Sequence, residues 1–374
     1  MKIVHFGQKH VPSREGGVEI VVEELAVRQA LKGHEVCCIN RRAHNVAGSE
    51  YDAAKMSEYK GIKLLTVPTI DKKGLAAVTS AFFAGIKAGF GAYDIVHIHA
   101  EGPAAFCWIP KLMGKKVVCH CHGLDWKRPK WSNNIGSIFI KYGERMMARH
   151  ADEIIVLSRS VQDYFLKTYN RTSVFIPNGV KMPTSAKIQR IEKKWGLSEK
   201  NYILFLARLT EEKGAHILIN AFKRVNTDKK LVIAGGSSDS EDYVKHLHNI
   251  AVDDDRIIFT GFVQGKELEE LYSNAYIYVL PSKLEGMPLS LLEAMSYGNC
   301  CLVSDISENT DVVLDKGISF KTDDAEDLRN KIQELINNPE PVEEYSRKSA
   351  EYICCAYNWE DTAESVMDLY RRLC

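Results

Sequence analysis

Residues 282–298 read SKLEGMPLSLLEAMSYG, and the punctuation of this stretch decides the fold. Ahead of it lies AYIYVLPS, an apolar run rich in β-branched and aromatic residues that reads as a buried strand. Pro288 suits the first turn of a helix, where a missing N–H costs nothing. The LSLLEAMSYG segment is then apolar at helical spacing and ends on Gly298, a natural C-cap. Gly286, Met287, Pro288 and Leu289 therefore lie at a helix start, where N–H groups point outward without intrahelical partners. Such a helix start suits phosphate. Glu285 stands just before it and Glu293 about one turn in, so both carboxylates can accept hydrogen bonds from sugar hydroxyls. The chemistry implied is recognition of a sugar attached to a phosphate.

The same strand–loop–helix pattern runs through the chain. KIVHFG, VCCINR, DIVHIHA, KKVVCHCHG, DEIIVLS and SVFIPNGV are short apolar strands with helical stretches between most of them. After the Pro-Asn-Gly turn the pattern restarts with YILFLARL, LVIAGG, RIIFTGF, YIYVLPS and CCLVSD. Alternation of this kind means βαβ units and parallel sheets with helices on both faces. Two α/β domains in series follow, residues 1–180 and 181–357, with a terminal amphipathic helix over 358–374. In open parallel sheets ligands sit beyond the carboxyl ends of the strands, and a cleft between two such domains is the natural home for two substrates.

Composition bounds the rest. A chain of 374 residues suits two domains, and 45% apolar residues suffice for their cores. Net charge is zero, but residues 1–180 carry a net +9 and the remainder −9, a hint of membrane or anionic-ligand contact by the first half. Met1 leads at once into a strand, so no secretory signal peptide is expected. The most hydrophobic window, residues 74–92, contains Lys87 and several glycines and reads as a core helix. Ten cysteines without a C-x-x-C pattern look like the thiols of a reducing cytosol. In CHCH (119–122) the two cysteines face one side of a strand and the two histidines the other, so four metal ligands do not converge from this segment alone. No acidic cluster suggests a catalytic metal, and no basic groove suggests nucleic acid.

Other motifs sit at strand ends. In LARLTEEKGA, Arg208 and Lys213 place two cations at a strand–loop–helix turn, suited to hold a diphosphate and stabilise charge on it as it leaves. Gly16 and Gly17 follow strand one and let backbone approach a ligand closely. The G-x-G-x-x-G fingerprint of NAD binding is missing. His99 and His122 come to strand ends, where an imidazole can donate to a sugar hydroxyl or orient an acceptor, whereas His97 and His120 read as packing. Lys127, Arg128 and Lys130 lie between Trp126 and Trp131, a mixture suited to an anionic membrane interface or to sugar stacking.

Taken together and in this order, the glycine loop, the His122-Gly123 segment, the PNGV turn, the R-x4-K segment, the E-x7-E segment and the terminal helix resemble the retaining glycosyltransferases of family 4. The resemblance covers nearly the whole chain. It implies the GT-B fold, two Rossmann-like doubly wound domains facing across a cleft, with the C-terminal helix crossing back onto the first. It implies a nucleotide-diphospho-sugar donor, a UDP-sugar foremost, with no cofactor and no metal. Glu293 would bind ribose hydroxyls and Glu285 the sugar, while Arg208, Lys213 and the N–H groups after Glu285 would take the charge of the leaving diphosphate. His122 would sit near the donor sugar, and Gly16 and Gly17 near the donor phosphate. His99, Arg14, Glu15, Lys127 and Arg128 would face the acceptor. The segments around residues 12–26 and 122–131 look most like enzymes of bacterial surface-polysaccharide assembly, which implies a glycan or lipid-linked acceptor and a cytoplasmic protein peripheral to the inner membrane face. Two other readings remain open: a nucleotide-sugar epimerase of the same fold, and a non-catalytic partner subunit that binds a nucleotide sugar.

Overall fold

The computed structural model describes residues 1–42, 56–70, 72, 74–129, 135–237 and 240–374. The chain forms two compact units, one of Met1–Asn178 with Trp359–Cys374 and one of Gly179–Asn358.

In the first unit β1 (Lys2–Phe6), β2 (Glu35–Arg41), β3 (Glu58–Tyr59), β4 (Ile62–Val67), β5 (Ile95–His99), β6 (Lys116–Cys121), β7 (Glu153–Val156) and β8 (Val174–Phe175) make one sheet. Its order is β3-β4-β2-β1-β5-β6-β7-β8, parallel except where β3 meets β4. The winding reverses between β1 and β5, the position where an α/β sheet opens a crevice for a ligand. Gly7, at φ +117°, closes β1, and a Cβ there would stand 2.1 Å from the His99 carbonyl oxygen. Only glycine lets the two strand ends come so near.

Alternation along the strands sorts the side chains. Val4, Phe6, Val96, Ile98, Val117, Cys119 and Cys121 join one apolar cluster. Between them in sequence come His5, His97, His99 and His120, each at most 1% exposed. His5 contacts Gln29 of the helix Gly17–Leu31, and His97 contacts Tyr370 of the helix Trp359–Leu373. That last helix buries Trp359, Ala363, Val366, Met367, Leu369 and Tyr370, and Arg28–Glu360 and Lys32–Glu364 ion pairs fasten it to the helix Gly17–Leu31.

In the second unit β9 (Tyr202–Leu206), β10 (Lys230–Ala234), β11 (Ile257–Gly261), β12 (Ile277–Leu280), β13 (Cys300–Ser304) and β14 (Ile318–Phe320) form an all-parallel sheet. The order is β11-β10-β9-β12-β13-β14, so the reversal falls between β9 and β12. The arginine–lysine turn follows β9 and the glutamate segment follows β12.

The window expected as a core helix is instead a surface helix, Leu75–Phe90. Its small residues Ala81, Ala84, Gly85, Ala88 and Gly89 face inward. Gly85 and Gly89 leave little room for a Cβ against Phe106 and Met113, so the helix lies close and its large residues Leu75, Phe82, Phe83 and Phe90 are turned outward. Among the described residues no helix is long and apolar enough to cross a membrane.

Leu369 is fully buried in the terminal helix. Leu369→Ala should cost roughly 2–4 kcal/mol and lower the urea midpoint of the first unit; an unchanged midpoint would mean that this helix contributes little to the unit.

Candidate active site

In the second unit the helix spans Leu289–Ser296, with Pro288 at the N-cap, one position before the expected first turn. Gly298, at φ +72°, ends it one residue beyond the Tyr297 C-cap. Gly298 N–H donates to Met295 O and Asn299 N–H to Ala294 O, the paired bonds of a Schellman ending.

Two loops bring the charged residues together. Lys283 N–H donates to Glu212 O at 2.8 Å, joining the loop after β12 to the turn Glu211–Lys213 that follows β9. Gly214 makes the approach possible: it sits at φ +71°, and a Cβ there would lie 2.1 Å from the Pro281 carbonyl oxygen. As a result Lys213 Nζ lies 2.6 Å from both Glu285 carboxylate oxygens, with side-chain exposures of 15% and 5%. The two residues expected to contact different parts of a ligand thus hold each other in this structure. Arg208 lies half-buried just past β9, on the same crevice edge. Glu293 is half-buried and accepts a 3.0 Å hydrogen bond from Tyr272 OH, whose ring stacks on Tyr297. Gly286 is half-buried and Met287, Pro288 and Leu289 are buried.

In the first unit Gly16 is extended, at φ −163°, and Gly17 begins the helix, so neither is required by a left-handed backbone. Arg14 is paired bidentately with Glu23, and Glu15 forms an ion pair with Lys9. Tyr59 and Lys60 converge on the same Glu23 carboxylate. These contacts pin the glycine loop to the helix Gly17–Leu31.

His99 and His122 are brought within 3.1 Å of each other, and His5 within 3.1 Å of His99. Two groups of three imidazoles, His5–His97–His99 and His99–His120–His122, have nitrogens close enough together for a metal ion. Their planes argue for another use. His120 and His122 are stacked at 4.1 Å and 20°, and His97 and His99 at 4.2 Å and 25°, so within each group two in-plane lone pairs run side by side rather than converge. Tetrahedral coordination demands convergence.

Trp126 does not stand free to stack on a sugar. Its indole N–H donates to Glu144 at 2.9 Å, a carboxylate that also accepts from Tyr164 and Tyr169, and the ring packs on the apolar core. Asp125 N–H donates to Glu101, whose carboxyl is pushed well above its usual range by burial and by Asp125 and Glu144 beside it. Arg128 pairs with Asp125, and Lys127 is exposed. Lys130 and Trp131 lie outside the described residues.

Residues 15–182 match the family described as Glycosyltransferase Family 4, and residues 187–352 match Glycosyl transferases group 1. The chain belongs to the family 4 glycosyltransferases. An uncharacterized glycosyltransferase of Methanocaldococcus jannaschii is 24% identical over 99% of this chain and 98% of its own length. Among solved structures, sucrose-phosphate synthase of Thermosynechococcus elongatus matches 100% of this chain and 99% of its own, with a TM-score of 0.82 at 19% identity. Anabaena HepE in complex with UDP-glucose matches 100% of both chains, with a TM-score of 0.80 at 16% identity. The fold is GT-B.

In this glycosyltransferase the sequence reading passed over His5, Gln29 and Tyr272. His5 carried a signal: it is the one polar residue within the apolar part of β1, in phase with His97 across the sheet. Gln29 and Tyr272 carried none, since each gains its meaning from a partner distant in sequence.

Burial lowers His5 and His122 from 6.5 to about 4, and drives His97, His99 and His120 well below the usual range. The folded chain thus keeps these rings neutral where the unfolded chain protonates them. The histidines' contribution to stability should be full above pH 6.5 and fall as pH drops toward 4, with His5 alone accounting for roughly 3 kcal/mol by pH 4. A melting temperature flat between pH 7 and 4.5 would contradict this.

Proposed function

We propose that this glycosyltransferase moves a sugar, with retention, from a nucleotide-diphospho-sugar to a glycan or lipid-linked acceptor in cell-surface polysaccharide biosynthesis. The observation that carries the reading is the crevice between β9 and β12, where Arg208, Lys213, Glu285 and the start of the helix Leu289–Ser296 gather. Glu293, one turn in, receives the ribose hydroxyls, and Glu285 a hydroxyl of the sugar. Arriving diphosphate competes with Glu285 for Lys213 and, with Arg208 and the helix-start N–H groups, is stabilised as it departs. Positioned cations and N–H groups supply the charge stabilisation that a metal supplies in other transferases, so the reaction proceeds without one. Retention is by same-face attack, with the leaving phosphate helping to deprotonate the acceptor hydroxyl. His122 meets a sugar hydroxyl, and the pinned glycine loop with Arg14, Glu15, Gly16 and Gly17 bounds the substrate side of the first unit. The donor is a UDP-sugar, a choice supported by the UDP-glucose bound to Anabaena HepE.

A peripheral association with the inner membrane face is supported by one surface of the first unit. The helices Leu75–Phe90, Trp108–Leu112 and Ile135–His150 expose Phe82, Phe83, Phe90, Leu112, Ile138 and Tyr142. Phe82, Phe106 and Phe139 make that surface continuous through ring contacts. Lys87, Lys141, Arg145 and Arg149 stand among them, and the one acidic residue in these three helices, Glu144, is fully buried. Apolar side chains among unopposed cations suit an anionic bilayer surface.

Calorimetry with UDP, GDP and dTDP should show binding of UDP, unaffected by EDTA and weakened about 10–100-fold by Glu293→Ala, as expected for loss of a hydrogen-bonded carboxylate. Binding indifferent to Glu293 would withdraw the donor-site assignment. Separately, the protein should co-sediment with anionic liposomes at low salt, and Ile138→Glu with Phe90→Glu should release it; equal sedimentation of the doubly substituted chain would place the contact elsewhere.

A further inference from the structure

Gln29, His5, His99 and His122 form one hydrogen-bonded row across the first unit. Gln29 Oε1 lies 2.8 Å from His5 Nε2, His5 Nδ1 3.1 Å from His99 Nε2, and His99 Nδ1 3.1 Å from His122 Nε2. A neutral imidazole has one N–H and one lone pair, so each contact needs a donor on one side and an acceptor on the other. The choice made at one end of the row sets every other.

Gln29 makes that choice. Gln29 presents its carbonyl oxygen, Oε1, to His5 Nε2 at 2.8 Å. A carbonyl only accepts, so His5 carries its hydrogen on Nε2 and keeps a lone pair on Nδ1. His99 must then donate from Nε2 and accept at Nδ1, and His122 must donate from Nε2.

We infer that Gln29, acting through His5 and His99, fixes the tautomer of His122 with the hydrogen on Nε2 and the lone pair on Nδ1. Gln29, His5 and His99 are positioning residues, and the tautomer rests on their geometry alone. Its consequence rests on the function proposed above: His122 accepts a hydrogen bond from a sugar hydroxyl instead of giving one. Half-buried and lowered to about 4 by desolvation, this imidazole is too weak a base to take the hydroxyl proton outright, so it orients the hydroxyl and leaves deprotonation to the departing phosphate. The row also accounts for two of the polar residues on that strand face: His5 and His99 each spend both nitrogens on their neighbours, a requirement for burying them.

Long-range proton–nitrogen correlation on the full chain, labelled with nitrogen-15 in histidine and assigned by His122→Gln, reads the tautomer directly. At pH 7.5 the wild type should show His122 Nε2 protonated and Nδ1 unprotonated. Gln29→Glu should leave that pattern in place, since a carboxylate also only accepts. Gln29→Leu should shift both His122 nitrogens toward averaged values. Hydrogen on His122 Nδ1 in the wild type, or a pattern indifferent to Gln29→Leu, would overturn the inference. If Gln29→Leu does not fold, the wild-type and Gln29→Glu spectra decide. UDP binding measured on the same samples tests the function separately, because its loss would leave the histidine pattern unaltered.

Discussion

A parallel sheet wound in two directions from its middle leaves one gap that no crossover helix covers, and both units of this chain are organised by that constraint. In the first it falls between β1 and β5, in the second between β9 and β12. Strand ends at such a gap are held apart only by their own backbones. Here glycine lets them approach: Gly7 against His99 in one unit and Gly214 against Pro281 in the other. Side chains far apart in sequence are delivered to one crevice edge as a consequence.

The two crevices are chemically unlike. That of the second unit holds charge. Lys213 and Glu285 form a largely buried ion pair, which is poor evidence of stabilisation because desolvation offsets much of the attraction. Its physical sense lies in exchange. Under the function proposed, a pair preassembled near a helix start keeps a lysine and a carboxylate ordered until an anion replaces the carboxylate and a hydroxyl replaces the lysine. The first unit's crevice holds neutral polar groups. Its imidazoles are too buried to charge at neutral pH, and they offer direction: hydrogen-bond polarity set at one end and read at the other.

Much of the fold was legible because it is written in local pattern. β12, its loop and the helix Leu289–Ser296 follow from one apolar run, one proline and one glycine. β4 and β14 were passed over, being short strands whose outer positions carry Lys63, Thr66 and Ser319, which blur the apolar signal. The helix Leu75–Phe90 was misread as core since hydropathy counts apolar residues without saying which way they point; its inward face belongs to alanine and glycine. Trp126 was read as suited to a membrane interface or to sugar stacking, and only Glu144, eighteen residues on, shows it to be an anchor.

By itself the sequence determined the α/β alternation, the restart after Pro177-Asn178-Gly179, and the positions of Arg208, Lys213, Glu285 and Glu293 at strand ends, because each depends on residues within a few positions of one another. Tertiary structure alone decided that Lys213 pairs with Glu285, that Glu293 meets Tyr272, and that Gln29 governs His122 through two other imidazoles. Those contacts span from 21 to 94 residues of chain. They exist because sheet order and helix packing bring the groups within hydrogen-bonding distance, and a hydrogen bond, unlike a helical period, leaves no repeat in the sequence to be read.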